Sequence, residues 1–164
     1  MYAFGKGLMP WEKESARKHL PTYLAGVLYH ASFFSALFYL FSLIIPFQLT
    51  VLVISLFRFL TIIGLLCGLG LLLKRTVHRY LRKISCPDDF ASNLIVDVFL
   101  AFALANTFFS SIKPFFYLTA ILLFIYIPLG KIRHCFFFFY VRILFGVFYG
   151  RRGVLPRDNI KSET

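Results

Sequence analysis

Two histidines are the residues whose type and setting admit chemistry. His30 lies in the uncharged run Leu28-Tyr29-His30-Ala31-Ser32. His134 follows Ile127-Pro128-Leu129-Gly130-Lys131-Ile132-Arg133, where an apolar stretch from Phe115 meets a proline, a glycine and two basic residues. The chain then runs on through Cys135 into four phenylalanines, Phe136 to Phe139. An imidazole at membrane depth is costly unless something engages it. For either residue alone, a hydrogen bond to a neighbouring helix or a place among headgroups is sufficient. Together they suggest axial ligation, with His30 and His134 clamping one haem iron between two membrane helices. Each has a glycine four residues earlier, Gly26 before His30 and Gly130 before His134. Residues four apart share a helix face, and a flat macrocycle needs such a small-residue patch. Pro128 adds a kink that would aim the last turn. Arg75, Lys131 and Arg133 fall at the same membrane face, where haem carboxylates would pair with them. A positive-inside charge bias explains any one of those bases equally well. His19 and His78 lie in basic segments and read as solvated. An iron with two imidazole ligands has no open site, so it carries electrons and binds no substrate.

The elements that must position these residues are membrane helices. Of the 164 residues, 59% are hydrophobic and 15% charged, against roughly half and a quarter in soluble domains. The apolar residues come in long runs. Four spans are expected, at about 21–47, 49–73, 90–111 and 115–134, the last with an apolar extension to 150. At about 20 residues per crossing they form an all-α, integral membrane four-helix bundle, with the haem between spans one and four. A basic leader, 1–20, precedes the membrane domain, 21–150, and a polar tail, 151–164, follows it. In the leader, Pro10 to Lys18 suits a short helix, with Trp11 at headgroup level. No cleavable signal is expected. The net charge is +11. The leader, the 74–83 loop and everything from Lys131 onward share one side, and only Lys113 falls opposite. That bias puts both termini in the cytoplasm and gives no reason to expect a nucleic-acid partner.

Arg58 and Asp97 are the charges inside the second and third expected spans. Arg58 could engage a quinone carbonyl, pair with a lipid phosphate, snorkel outward, or form a structural pair within the bundle. Asp97 is expected near the inner interface. Gly64 and Gly68 form a small-xxx-small pattern that lets helices approach. The three cysteines, Cys67, Cys86 and Cys135, form no CxxC or CxxCH, so zinc ribbons, ferredoxin-type clusters and covalent haem have no ligand set.

Several pieces recur in one order: Ala25 to His30 on span one, Gly64 to Gly70 running into Leu71-Leu72-Leu73-Lys74-Arg75, Asp97, and Pro128 with Arg133-His134. With the ending Arg151-Arg152-Gly153-Val154-Leu155-Pro156, they resemble the last four helices of the gamma subunit of respiratory nitrate reductase and related membrane cytochrome b subunits of heterodisulfide-reductase-type complexes. The resemblance runs from about residue 20 to 150. It implies bis-histidine haem b in the inner, cytoplasmic membrane. It also implies electron exchange between a menaquinone-type pool and an iron–sulfur or flavin subunit on the cytoplasmic side. His30 and His134 match the pair nearer that partner. The family's second haem uses positions about three turns further along span one and about five turns back on span four. Leu40 and Phe116 stand there, which implies one haem b.

The expected function is a membrane cytochrome b subunit that anchors a redox complex and transfers electrons, docking its partner on a basic inner face. The alternative is a non-redox membrane anchor without haem. A transporter built on Arg58 and Asp97 is disfavoured, since the spans show neither a polar stripe nor an inverted repeat.

Overall fold

Long runs of Leu, Ile, Phe and Val in hydrocarbon leave the backbone one local way to satisfy its polar groups, the helix. The computed structural model describes residues 19–45 and 47–153, with Phe136 described by its backbone alone, and these residues are all-α. The expected leader helix, Trp11 and the tail beyond 153 lie outside the described residues. In chain order the helices are α1 (Leu20–Ile44), α2 (Val51–Val77), α3 (Arg79–Ile84), α4 (Pro87–Asn106), α5 (Lys113–Leu129) and α6 (His134–Arg151). Short 3-10 turns, Ser110–Ile112 and Lys131–Arg133, precede α5 and α6. Four segments are long and apolar enough to cross a membrane: Leu20–Ile44, Val51–Val77, Ser110–Leu129 and Lys131–Arg151. The chain is therefore a multi-pass membrane protein.

The described residues divide into two units, residues 21–132 in one and residues 19–20 with 133–153 in the other. The first is a four-helix bundle of α1, α2, α4 and α5. Near one end, Tyr39 of α1 stacks on Phe57 of α2, with ring centroids 4.6 Å apart. At the other, Lys74 late in α2 donates to Thr22 early in α1 at 2.6 Å, so the two helices run antiparallel. Arg58 of α2 meets Thr107 after α4, and Asp88 early in α4 meets Tyr126 late in α5. The helices therefore alternate in direction. Phe99, Leu100, Phe116, Leu40 and Leu123 fill the centre, each at most 2% exposed.

Each of the four expected spans shifts at a boundary. Span one ends at Ile44, before 47, and span two continues through Lys74 and Arg75 to Val77. Span three is α4, which starts at Pro87 and ends at Asn106, earlier than 111. Asp88, Asp89, Asp97, Asn93 and Asn106 make α4 the more polar helix of the bundle, and it is not among the four segments that are long and apolar enough to cross, although it packs between α2 and α5. Span four does not run on to His134. It stops at Leu129, Gly130 is extended (φ −100°, ψ −172°), and a separate helix begins at His134. Pro128 cannot donate to the helix ladder and glycine at the C-cap ends it, so the chain restarts.

Gly64 and Gly68 produce the close approach expected of them. A Cβ at Gly64 would land on the Ser32 side chain of α1, and one at Gly68 on the Asp97 carboxylate and the Tyr29 ring. By contrast, a Cβ at Gly26 or Gly70 would meet nothing within 4 Å.

Candidate functional site

His30 is on the exposed face of α1, and its Nδ1 donates to the Gly26 carbonyl one turn back at 2.6 Å. Tyr29 is its edge-on neighbour, with centroids 6.5 Å apart. The shared face expected for Gly26 and His30 is therefore present. His134 is the exposed first residue of α6 and belongs to the second unit, as does Arg133. Because Gly130 is extended and precedes a 3-10 turn, it does not share a helix face with His134. The space a Gly130 Cβ would take is filled by the Tyr126 ring.

Arg75 and Lys131, expected beside haem carboxylates, are brought together on Asp89. Lys131 Nζ is 2.8 Å from Asp89 Oδ1 and Arg75 Nη1 is 3.5 Å from the same oxygen. Arg75 also donates to the Asp89 carbonyl at 3.0 Å. Beside them Asp88 accepts from the Tyr126 hydroxyl and from the Lys131 backbone N–H, the latter at 2.8 Å. Asp89 also receives the Cys86 N–H at 2.8 Å, capping α4. The result is a clasp that ties α2, α4 and the end of α5 together just outside the apolar run that begins at Phe90. The Lys131 ammonium holds the Asp89 carboxyl below the usual carboxylate range, and Asp89 in turn raises Lys131.

Arg58 is half-buried. Its Nε donates to Thr107 Oγ1 at 2.9 Å and its Nη2 to the Thr107 carbonyl at 2.6 Å, with the guanidinium 4.1 Å above the Phe108 ring. It neutralises the carbonyl end of α4, as a cation at a helix C-terminus does. Of the roles open to Arg58 in the sequence, a structural pair is the one the contacts display.

Asp97 lies inside the bundle. It is the eleventh of the twenty residues of α4 and 4% exposed. Tyr29 donates to its Oδ1 at 2.7 Å and Asn93 Nδ2 to its Oδ2 at 2.8 Å, while Asn93 also lies 3.3 Å from the Gly68 carbonyl. This cluster joins α1, α2 and α4. Sequence reasoning missed Tyr29 and Asn93. The available signal was the four-residue spacing of Asn93 and Asp97, which puts two polar groups on one face of an otherwise apolar helix.

Leu40 and Phe116, at the positions implied for a second haem, are packed into the bundle centre. Among the described residues, Cys67, Cys86 and Cys135 are free thiols, and no group of three or more His, Cys, Asp or Glu side chains converges as a metal site. Comparison with known proteins returns no match: no family, no curated protein and no solved structure is significantly similar to the chain. The likeness to membrane cytochrome b subunits therefore stands on the quoted residues alone.

Proposed function

We propose that the protein is a membrane cytochrome b subunit, anchoring a redox complex in the cytoplasmic membrane, with His30 and His134 as axial ligands of one haem b. Electrons would pass between a menaquinone-type pool and a cytoplasmic iron–sulfur or flavin partner. The observation that carries this reading is the His30 Nδ1 bond to the Gly26 carbonyl. With its proton on Nδ1, the imidazole is the tautomer that ligates through Nε2, and metal-bound histidines are commonly oriented by such a backbone bond. Gly26 leaves the helix surface beside the ring open. When bound, the haem would supply a one-electron carrier, held by His30 and His134. The chain's own part is to orient the ring and to anchor the site in the bilayer. Because the bundle centre is filled by Phe99, Phe116, Leu100 and Leu123, a group held by His30 belongs on the outer surface of α1.

A second reading, a membrane anchor without haem, is favoured by Arg75 and Lys131 already pairing with Asp89. The deciding experiment is a reduced-minus-oxidised absorbance spectrum of the protein purified with its partners, with haem and protein quantified together. A low-spin b-type signal near one haem per chain supports the cytochrome. Colourless material moves the assignment to the anchor.

A further inference from the structure

A groove of about 500 Å3 opens between the first turns of α1 and the last turns of α2, on the outside of the bundle. Its size falls within the range of small-molecule sites, roughly 300–1,000 Å3. Ala25 lines one wall and Leu66, Cys67 and Gly70 the other, while Thr22 and Lys74 close one end. Gly70 keeps it open. Helix packing does not require a glycine there, because a Cβ would meet nothing within 4 Å, unlike at Gly64 and Gly68. The apolar trough thus ends at an ammonium, and Lys74 Nζ donates to Thr22 Oγ1 at 2.6 Å.

The charges at that end are unbalanced. Lys74, Arg79, Arg82 and Lys83 are exposed, and of the cations in this segment only Arg75 is paired with a carboxylate among the described residues. Tyr80 and Ile84 of α3 are exposed among them, at 72% and 63%. Basic and apolar side chains shown together, at the end of a membrane helix, match a surface of acyl chains under anionic headgroups. A water-soluble anion would not use the trough, and a neutral lipid would not use the ammonium.

We propose that this groove binds one anionic phospholipid. Its acyl chain lies along Ala25, Cys67 and Gly70, and its phosphate accepts hydrogen bonds from Lys74 Nζ and the Thr22 hydroxyl. The site is separate from the histidines and does not depend on the haem reading.

The test uses the delipidated full-length protein in detergent, titrated with phosphatidylglycerol or phosphatidylcholine of equal chain length, with bound lipid counted by native mass spectrometry. Phosphatidylglycerol should bind about tenfold tighter, and Lys74→Gln should erase that preference. Gly70→Leu, whose side chain grows into open space, should remove one bound lipid while melting stays unchanged. Independently of any variant, phosphatidylglycerol should slow alkylation of Cys67 relative to phosphatidylcholine. Equal binding of the two lipids, or binding indifferent to Lys74, overturns the anionic ligand and points to a neutral one such as a quinone. An unchanged lipid count in Gly70→Leu, together with unprotected Cys67, overturns the groove.

Discussion

At the residue scale, Arg58, Asp97 and His30 each answer to a partner within the helices. Arg58 is engaged by the carbonyl and the hydroxyl of Thr107, the residue that caps α4. Arg58→Met should leave that carbonyl unmatched and cost about 1–3 kcal/mol, read as a lower melting temperature in detergent, with Arg58→Lys falling between. A variant that melts like the wild type but loses quinol-dependent electron transfer would restore Arg58 as a quinone ligand. For the histidines, His30→Ala and His134→Ala should each abolish haem retention, and His78→Ala should not. Equal haem content in all three proteins, from the difference spectrum per mole of chain, would refute the ligand assignment. The Asp89 pairing has a pH signature. Its carboxyl is depressed by the Lys131 bond, so its stabilisation is complete above the ordinary carboxylate range. It is lost as pH falls through the depressed value, when the folded state takes up the proton. Melting temperature against pH should show an acid limb that Asp89→Asn flattens.

At the scale of elements, two glycines and two hydrogen-bonded clusters decide how the helices meet. Gly64 lets α2 approach α1, and Gly68 makes room for the carboxylate of Asp97 and the ring of Tyr29. Gly68→Ala should force those side chains aside at a cost typical of overpacking, about 1–3 kcal/mol. Gly26→Ala, with open space at its Cβ, should melt like the wild type. If the two variants melt alike, α2 is not seated against Tyr29 and Asp97. The clasp of Asp88, Asp89, Lys131 and Tyr126 fixes where α5 ends. Together with Pro128 and the extended Gly130 it explains why the apolar run from Phe115 becomes two helices.

At the scale of the whole molecule, membrane crossing and charge must agree. α1, α2, α4 and α5 alternate in direction, so the 74–83 loop and the end of α5 fall on one side, the side rich in Lys and Arg. Residues 134–151 are apolar enough to cross, but Arg142 stands at the middle of α6. Arginine at a bilayer centre costs about 2.5–3.5 kcal/mol even on the lenient insertion scales. Basic residues also mark both ends of α6, Lys131 and Arg133 before it, Arg151 as its last residue and Arg152 after it. Both features predict that the far end of α6 lies on the same side as the 74–83 loop, the side that the positive-inside rule assigns to the cytoplasm. A compartment-sensitive reporter fused after Thr164 should be active there. A reporter active on the far side would make α6 a fifth crossing.

The amino-acid sequence by itself determined that this is a helical membrane protein, because run length and hydropathy select the helix wherever backbone groups lack water. It also marked the small-residue seam at Gly64 and Gly68, since close approach has a local signature. Partners had none. Whether Arg75 and Lys131 faced a ligand or Asp89, whether Arg58 reached outward or to Thr107, and which groups Asp97 met depended on which helix faced which. The break at Gly130 was visible as residue types, but only the tertiary contacts of Asp88 and Tyr126 decided that the run stops there. A charge in hydrocarbon takes the nearest complementary group, and the folded bundle settles which group that is.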